Sequence, residues 1–388
     1  MDGAEAELAA LISAYSPQPS DPIAIAVSGG SDSMALMHIV ARWAVQTRRK
    51  ICVLTVDHQL RPEAAGEARF VAEAAAALGL DHQILTWTQP RAGQAAARDA
   101  RHRLLAEAAR QLGAKTLLLG HTFDDLIETI LIRKRRKAPR ALLAGPMPAA
   151  PSPVWSQGRN LTLIRPLLNI RRQALKDELQ SRGLSWVDDP TNDNPAYERV
   201  RVRQFLSRHP RLASMMGPIA TGLLAQREKH DALLGQTLLD TDTVQVEPSG
   251  LIQVDLTQID RRIAPRMIAV LLRIAGGHDL PPRAEAVSEL IAALQQPGER
   301  RTLAGAWVQR SKTGLLIGRD PGESRGELSP NIWDGRFVRD ASADLPSEMP
   351  VLLRETRPPG SDWRSVIGER IAHEARAYQT LRVSPVHK

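Results

Sequence analysis

The sequence predicts an α/β chain. A doubly wound parallel sheet forms the N-terminal domain, followed by a smaller, mostly helical middle domain and an α+β C-terminal domain. Three apolar runs, Ile23–Val27, Ile51–Val56 and Lys115–Leu119, read as strands, and each is followed by a helical pattern. Strands that are apolar throughout and alternate with helices belong to a parallel sheet covered on both faces. The most polar clusters follow Val27, Val56 and Leu119, at the carboxyl ends of the strands, where such sheets bind ligands.

The helices of this first domain are expected from Ser31 to about Val45, over the Ala-rich Glu67–Leu78, and from about Asp124 to Ile132. Residues 138–158, rich in Pro and Ala, read as a loop. Leu161–Arg165 and a glycine-ended helix, Arg171–Gly183, return to the fold. Asp188–Pro195 reads as a polar turn. Beyond Arg208 the pattern changes to amphipathic helices, with a strand pair at Val244–Val246 and Ile252–Val254, a helix over Pro281–Leu294, and a hairpin at Ala306–Val308 and Leu315–Ile317. The expected domains are therefore residues 1–209, 210–321 and a weakly patterned, Pro-rich 322–388.

Composition narrows the function. The 388 residues carry 51 Lys+Arg against 43 Asp+Glu, a net charge of +8 that suits a polyanionic partner, RNA first. With aromatics at 4%, stacking on bases involves few sites. The single cysteine, Cys52, falls inside a strand and is expected in the core; it excludes an internal disulfide, a multi-Cys zinc site and a CxxC pair. The acidic N-terminus lacks the features of a signal peptide. The apolar stretch Met267–Leu272 is cut short by Arg273, far below the ~18 residues of a membrane span. A soluble, cytoplasmic protein is expected.

The strongest chemical signal is Ser28-Gly29-Gly30-Ser31-Asp32-Ser33 between the first strand and its helix. Two glycines let the backbone approach a phosphate, and N–H groups at the helix start point at it. No GxxxxGK[ST] is present, so no Walker lysine reaches a γ-phosphate. Such a loop suits enzymes that release pyrophosphate from ATP. Asp32 is the candidate Mg²⁺ ligand and catalytic carboxylate. The competing structural reading is a Gly-Ser turn capped by Asp32.

His121, Asp124, Asp125 and Glu128 lie at i, i+3, i+4 and i+7, on one helix face at the mouth of the third strand. Capping accounts for acids in a first turn, at ~0.3–1 kcal/mol each, but not for Glu128. Carboxylates suit an ammonium ligand. An amine of pKa ~10.4 must lose a proton before attack, at ~4.6 kcal/mol at pH 7, so Asp125 and His121 are both candidate bases. Asp57 and His58 follow the second strand beside the expected ATP. Arg98 and Arg101, at i and i+3, meet either a phosphate or oxyanion, or only solvent. The run Arg133, Lys134, Arg135, Arg136 and Lys137 is either an exposed surface or a set of RNA phosphate contacts.

The phosphate loop resembles that of the PP-loop ATPase (N-type ATP pyrophosphatase) superfamily, and the first 205 residues are similar to the tRNA(Ile)-lysidine synthetase family. The similarity runs through Thr55–Arg61, Ala97–Arg101, Gly120-His121 with Asp124-Asp125 and Glu128-Thr129, Arg165–Leu168, and Asp189–Asn192 followed by Tyr197, Arg199 and Arg203. It continues more weakly through Arg301–Gly314 and Trp333–Arg336. Thr55 and Thr122 stand where the family has His, Leu126 where it has Gln, and Val200 where it has Asn.

The resemblance implies that ATP adenylates the C2 oxygen of the wobble cytidine in the CAU anticodon of an isoleucine tRNA. The ε-amine of free L-lysine then displaces AMP and leaves lysidine. It assigns Ser28 to Ser33, Asp57 and His58 to ATP with Mg²⁺, and Arg98, Arg101, Asp124, Asp125, Glu128, Arg199 and Arg203 to the substrates. It admits a homodimer. The rivals are another PP-loop tRNA-modifying or amide-forming enzyme, and a non-catalytic RNA-binding relative.

Overall fold

The apolar runs pair side by side, because each buries both faces and leaves only its edges to hydrogen bonding. The computed structural model describes residues 2–16, 18–59, 63–88, 90, 93–138, 143–155, 157–188, 194–278, 280–323, 327–329, 332–334, 336–339 and 363–379. These residues form two compact units. The first spans residues 2–152 and 160–229, and the second spans 153–159 and 230–379. The division falls between residues 229 and 230, inside the helix Pro210–Leu239 and not at the expected 209/210, and the second unit runs on through residue 322.

The first unit holds a six-stranded sheet. Its strands are β1 (Ile23–Ala26), β2 (Ile51–Asp57), β3 (Asp81–Thr86), β4 (Thr116–Leu119), β5 (Ala149–Pro151) and β6 (Thr162–Ile164), in the order β3-β2-β1-β4-β6-β5. All neighbours are parallel except β5 on β6. The expected strands are central ones. β3 and β5 lie at the edges, where burial is incomplete and the apolar signal weak; DHQILT buries only Leu85. Cys52 is buried in β2 as expected, and burial raises its thiol pKa.

The helices in chain order are α1 (Asp2–Tyr15), α2 (Ser31–Thr47), α3 (Ala64–Ala77), α4 (Gln94–Gln111), α5 (Phe123–Arg135), α6 (Arg172–Ser181), α7 (Glu198–Arg208) and α8 (Pro210–Leu239). Alternate strand residues Ile23, Ile25, Ile51, Val53, Leu118 and Ile164 pack with Leu8, Leu36, Met37, Val71, Leu175 and Leu179 into one core. A second cluster joins Leu126, Ile127 and Ile130 of α5 to Met216, Ala220 and Leu223 of α8. Winding reverses between β1 and β4, so a crevice opens beyond their carboxyl ends.

The second unit centres on α9 (Ala264–Ala275) and α10 (Ala284–Ala293) with a five-stranded antiparallel sheet in the order β7-β8-β11-β10-β9. Its strands are β7 (Val244–Val246), β8 (Ile252–Asp255), β9 (Arg300–Leu303), β10 (Ala306–Arg310) and β11 (Gly314–Arg319). The two expected strand pairs join through β8 and β11. Met267, Ile268, Leu271 and Leu272 of α9 pack with Val254, Val308 and Ile317. A small sheet, β12 (Glu327–Ser329), β13 (Ile332–Trp333), β14 (Phe337–Arg339) and β15 (Trp363–Ser365), and the helix α11 (Ile367–Gln379) complete it. Within the Trp333–Arg336 segment, Asp334 takes two bonds from buried Arg319, at 2.7 and 2.8 Å, and one from buried Arg336 at 3.0 Å. No described helix is long and apolar enough to cross a membrane.

Gly29 adopts φ +87°, a backbone that favours glycine, as the chain turns from β1 into α2. Gly120 answers to a different demand. A Cβ there would stand 3.1 Å from the Asp32 carbonyl oxygen and the Ser33 Cα, backbone atoms that cannot swing aside. Gly120→Ala is expected to cost about 1–3 kcal/mol in urea unfolding. Gly66→Ala, in open space on α3, is expected to be neutral or stabilising by up to about 1 kcal/mol. Equal stabilities for the two variants would show that the approach of β4 to the phosphate loop is not tight.

Candidate active site

The loop after β1 is folded by its own hydroxyl. Ser33 Oγ donates to the Gly30 carbonyl at 2.9 Å and accepts the Ser28 N–H at 3.1 Å. Ser33 is therefore occupied within the loop. Ser28 is exposed but gives its N–H to Ser33, which leaves the N–H groups of Gly29, Gly30 and Ser31 for a ligand, and Gly30 is the N-cap of α2. Ser31 Oγ donates to Asp32 Oδ1 at 3.3 Å.

Across the crevice, α5 begins with a capping box. Thr122 N–H and Oγ both donate to Asp125 Oδ2, at 2.8 and 2.9 Å. Asp124, one residue earlier, accepts the Arg172 N–H at 2.7 Å and so caps α6. The expected acidic face is thereby assembled, and it is filled by arginines. Arg172 Nε donates to Asp32 Oδ2 at 2.8 Å, its Nη1 to Glu128 Oε1 at 3.2 Å, and its Nη2 lies 3.3 Å from Asp125 Oδ1. Arg203 Nε donates to Glu128 Oε1 at 3.0 Å, Arg199 Nε lies 3.1 Å from Glu128 Oε2, and Arg171 reaches Asp124 at 3.6 Å. Glu128 is 1% exposed, so an ammonium reaches it only by displacing a guanidinium.

The charges set the ionisation. Burial raises the Asp32 pKa against the opposing pull of Arg172, and Asp125 adds to the rise. Burial would raise Asp125 too, but Arg172, then Arg199, together with the Thr122 N–H, bring it below the ordinary value. Burial, and then the charge of Arg165, lowers His121 to about 3. Both groups expected as bases are therefore weakly basic here.

A second cluster has the opposite sign. Arg98, Arg101 and His102 share a face of α4, and Arg165 ends β6. Burial, then Arg98 and Arg199, lowers Arg101 to about 10, and burial, then Arg101, lowers His102 to about 3. His58 Nδ1, His102 Nε2, His121 Nδ1 and Arg165 Nε are buried with no hydrogen-bond partner among the described residues. Asp57 shapes the turn after β2 by accepting the Gln59 N–H at 2.9 Å, and His58 meets the Trp87 ring edge-on at 5.9 Å.

In the basic run, Lys134, Arg135, Arg136 and Lys137 are exposed at the end of α5. Arg133 turns inward to the Ala144 carbonyl, and Arg136 pairs with Glu198. Asp189–Asn192, and Leu60 and Arg61 at the end of the Thr55–Arg61 stretch, lie outside the described residues.

The fit of a metal rests on Asp32. Among the described residues no three His, Cys, Asp or Glu side chains are grouped to cage an ion. A lone carboxylate beside a phosphate loop does fit Mg²⁺, which binds through one or two carboxylates plus substrate phosphates.

The central residue, Arg172, was not among those expected from the sequence, nor were Arg171 and His102; Arg165 was noted only as the start of the Arg165–Leu168 segment, with no role in the site. A signal for the first pair existed. Arg171 and Arg172 open a helix, where positive charge opposes the helix dipole and calls for acidic partners.

A family model described as a PP-loop domain matches residues 4–210. The chain is 38% identical to the tRNA(Ile)-lysidine synthase of Hyphomonas neptunium over 76% of this chain and 81% of that one. It is 35% identical to the enzyme of that name from Caulobacter vibrioides, over 90% and 85%. For that of Ruegeria pomeroyi the figures are 33%, 96% and 87%. The chain thus belongs to the tRNA(Ile)-lysidine synthase family of PP-loop proteins.

Proposed function

We propose that this protein is an ATP-dependent ligase that converts the wobble cytidine of an isoleucine tRNA with a CAU anticodon into lysidine, acting in the cytoplasm. The observation that carries the reading is the juxtaposition, at the switch point between β1 and β4, of the SGGSDS loop with the acidic face of α5. In the first step the cytidine C2 oxygen attacks the α-phosphorus of ATP and pyrophosphate leaves. In the second the lysine ε-amine attacks C2, AMP leaves, and the amine gives up a proton.

The chain's own groups divide between these steps. Gly29, Gly30 and Ser31 offer backbone N–H groups to the phosphates. Asp32 would hold Mg²⁺, which screens phosphate charge when bound. Asp124, Asp125 and Glu128 form the amine side, where Arg199 and Arg203, 40% and 36% exposed, are the guanidiniums that an incoming ammonium can displace. Arg98 and Arg101 offer positive charge to an oxyanion of the RNA or the nucleotide. His121 and Asp125 are too weakly basic in this state to take the amine proton alone.

Asp32→Ala is expected to lower turnover at least ~100-fold, or ~2.7 kcal/mol, while the melting curve stays cooperative. Near-normal conversion of ATP to AMP in the presence of tRNA would remove Asp32 from the reaction.

Glu128→Gln keeps the shape of the side chain and removes its charge. Adenylated tRNA should accumulate and wait for lysine, and the lysine concentration for half-maximal rate should rise about 10-fold or more. An unchanged lysine dependence would place the ammonium elsewhere.

Replacing Lys134, Arg135 and Arg136 with Ser should flatten the slope of log affinity against log salt by up to ~2 units, since each phosphate contact contributes ~0.7–0.9. All tRNAs should weaken together, because phosphate contacts carry no sequence information. Parallel salt titrations of wild type and variant would mean that this run faces water.

A further inference from the structure

The phosphate loop from Ser28 to Ser33 contains no lysine or arginine. ATP brings a triphosphate to it, and the departing pyrophosphate concentrates negative charge. Backbone N–H groups and roughly half a positive charge at the helix end offset only part of that. A cation from elsewhere in the chain must supply the rest.

Among the described residues, Arg172 is the cation in direct contact with the loop, through the 2.8 Å bond from Nε to Asp32 Oδ2. Its backbone is fixed where α6 begins, by the bond from its own N–H to Asp124. Its side chain is 18% exposed, so it borders the crevice. Its other contacts, to Asp125 and Glu128, are longer, at 3.3 and 3.2 Å.

We propose that Arg172 is the polyphosphate-binding cation that the loop lacks. In the ligand-free protein Asp32, Asp125 and Glu128 hold the guanidinium. When ATP arrives, the Nε and Nη groups exchange the Asp32 carboxylate for β- and γ-phosphate oxygens, and they stay with the pyrophosphate as it departs. The planar fork suits two phosphate oxygens at once. The exchange strands no buried carboxylate on α5. Glu128 keeps Arg199 and Arg203, Asp125 keeps the Thr122 N–H and hydroxyl, and Asp124 keeps Arg171. Asp32 is left open to the divalent ion that ATP carries. The inference rests on the reading that ATP is cleaved between its α- and β-phosphates.

The test titrates full-length wild type, Arg172→Gln and Arg172→Lys with inorganic pyrophosphate alone and with AMP alone, by calorimetry. Losing a charged hydrogen-bond donor should weaken pyrophosphate about 10-fold or more in Arg172→Gln, with AMP within about 2-fold. Arg172→Lys keeps the charge but not the fork and should fall between wild type and Gln. It also gives a reading if the Gln variant does not fold, since it too must bind pyrophosphate less tightly than wild type. Pyrophosphate affinity unchanged in whichever variants fold, or AMP falling in step with pyrophosphate, would reduce Arg172 to a strut and overturn the proposal. Wild type that binds neither ATP nor pyrophosphate would overturn the ATP reading itself, which the variants alone leave standing.

Discussion

In the ligand-free protein Asp32, Asp125 and Glu128 share one crevice around a single guanidinium that touches all three. A buried carboxylate stripped of its partner costs about 3–5 kcal/mol, and like charges side by side add to that. Arg172 offsets that penalty at Asp32 and shares the task at Asp125 and Glu128 with Arg199 and Arg203. The same residue sets geometry, since α6 packs along α2 and its first N–H is held by Asp124 of α5. The helix that follows β1, the helix that follows β4 and the helix that follows β6 are therefore joined at the site rather than only through the core.

Two electrostatic regimes result. On the α5 side carboxylates and guanidiniums are matched: Asp32, Asp124, Asp125 and Glu128 against Arg171, Arg172, Arg199 and Arg203. On the α4 side Arg98, Arg101 and Arg165 stand among imidazoles that burial and the arginine charges keep neutral. A surplus of positive charge is thereby gathered where α4 meets Arg165. It is a local counterpart of the chain's net +8 and a suitable field for polyanionic substrates.

The centre of the fold was legible because a parallel sheet writes its interior strands as unbroken apolar runs. Edge strands write little: Asp81–Thr86 buries only Leu85 and gave no apolar run, and Ala149–Pro151 fell inside a stretch that read as loop. Motif residues on strand ends and on the first turns of helices were legible for the same reason, since the sheet fixes where they point. What spacing could not show was which cation faces which acid. Arg172 lies 140 residues from Asp32 and 44 from Glu128, a meeting made by topology alone. The acidic face therefore read as an open ammonium site, while the folded chain fills it with its own side chains. In the second unit the two strand pairs were legible locally, but their union through β8 and β11 was not.

The start of α5 carries one more consequence. At Thr122, where the resemblance leads one to expect a second histidine, the hydroxyl and N–H close the capping box on Asp125. Threonine has no proton to gain or lose in the range where imidazole titrates. With the Asp125 pKa held below its ordinary value and Thr122 inert, the first turn of α5 keeps its cap across mild acidification.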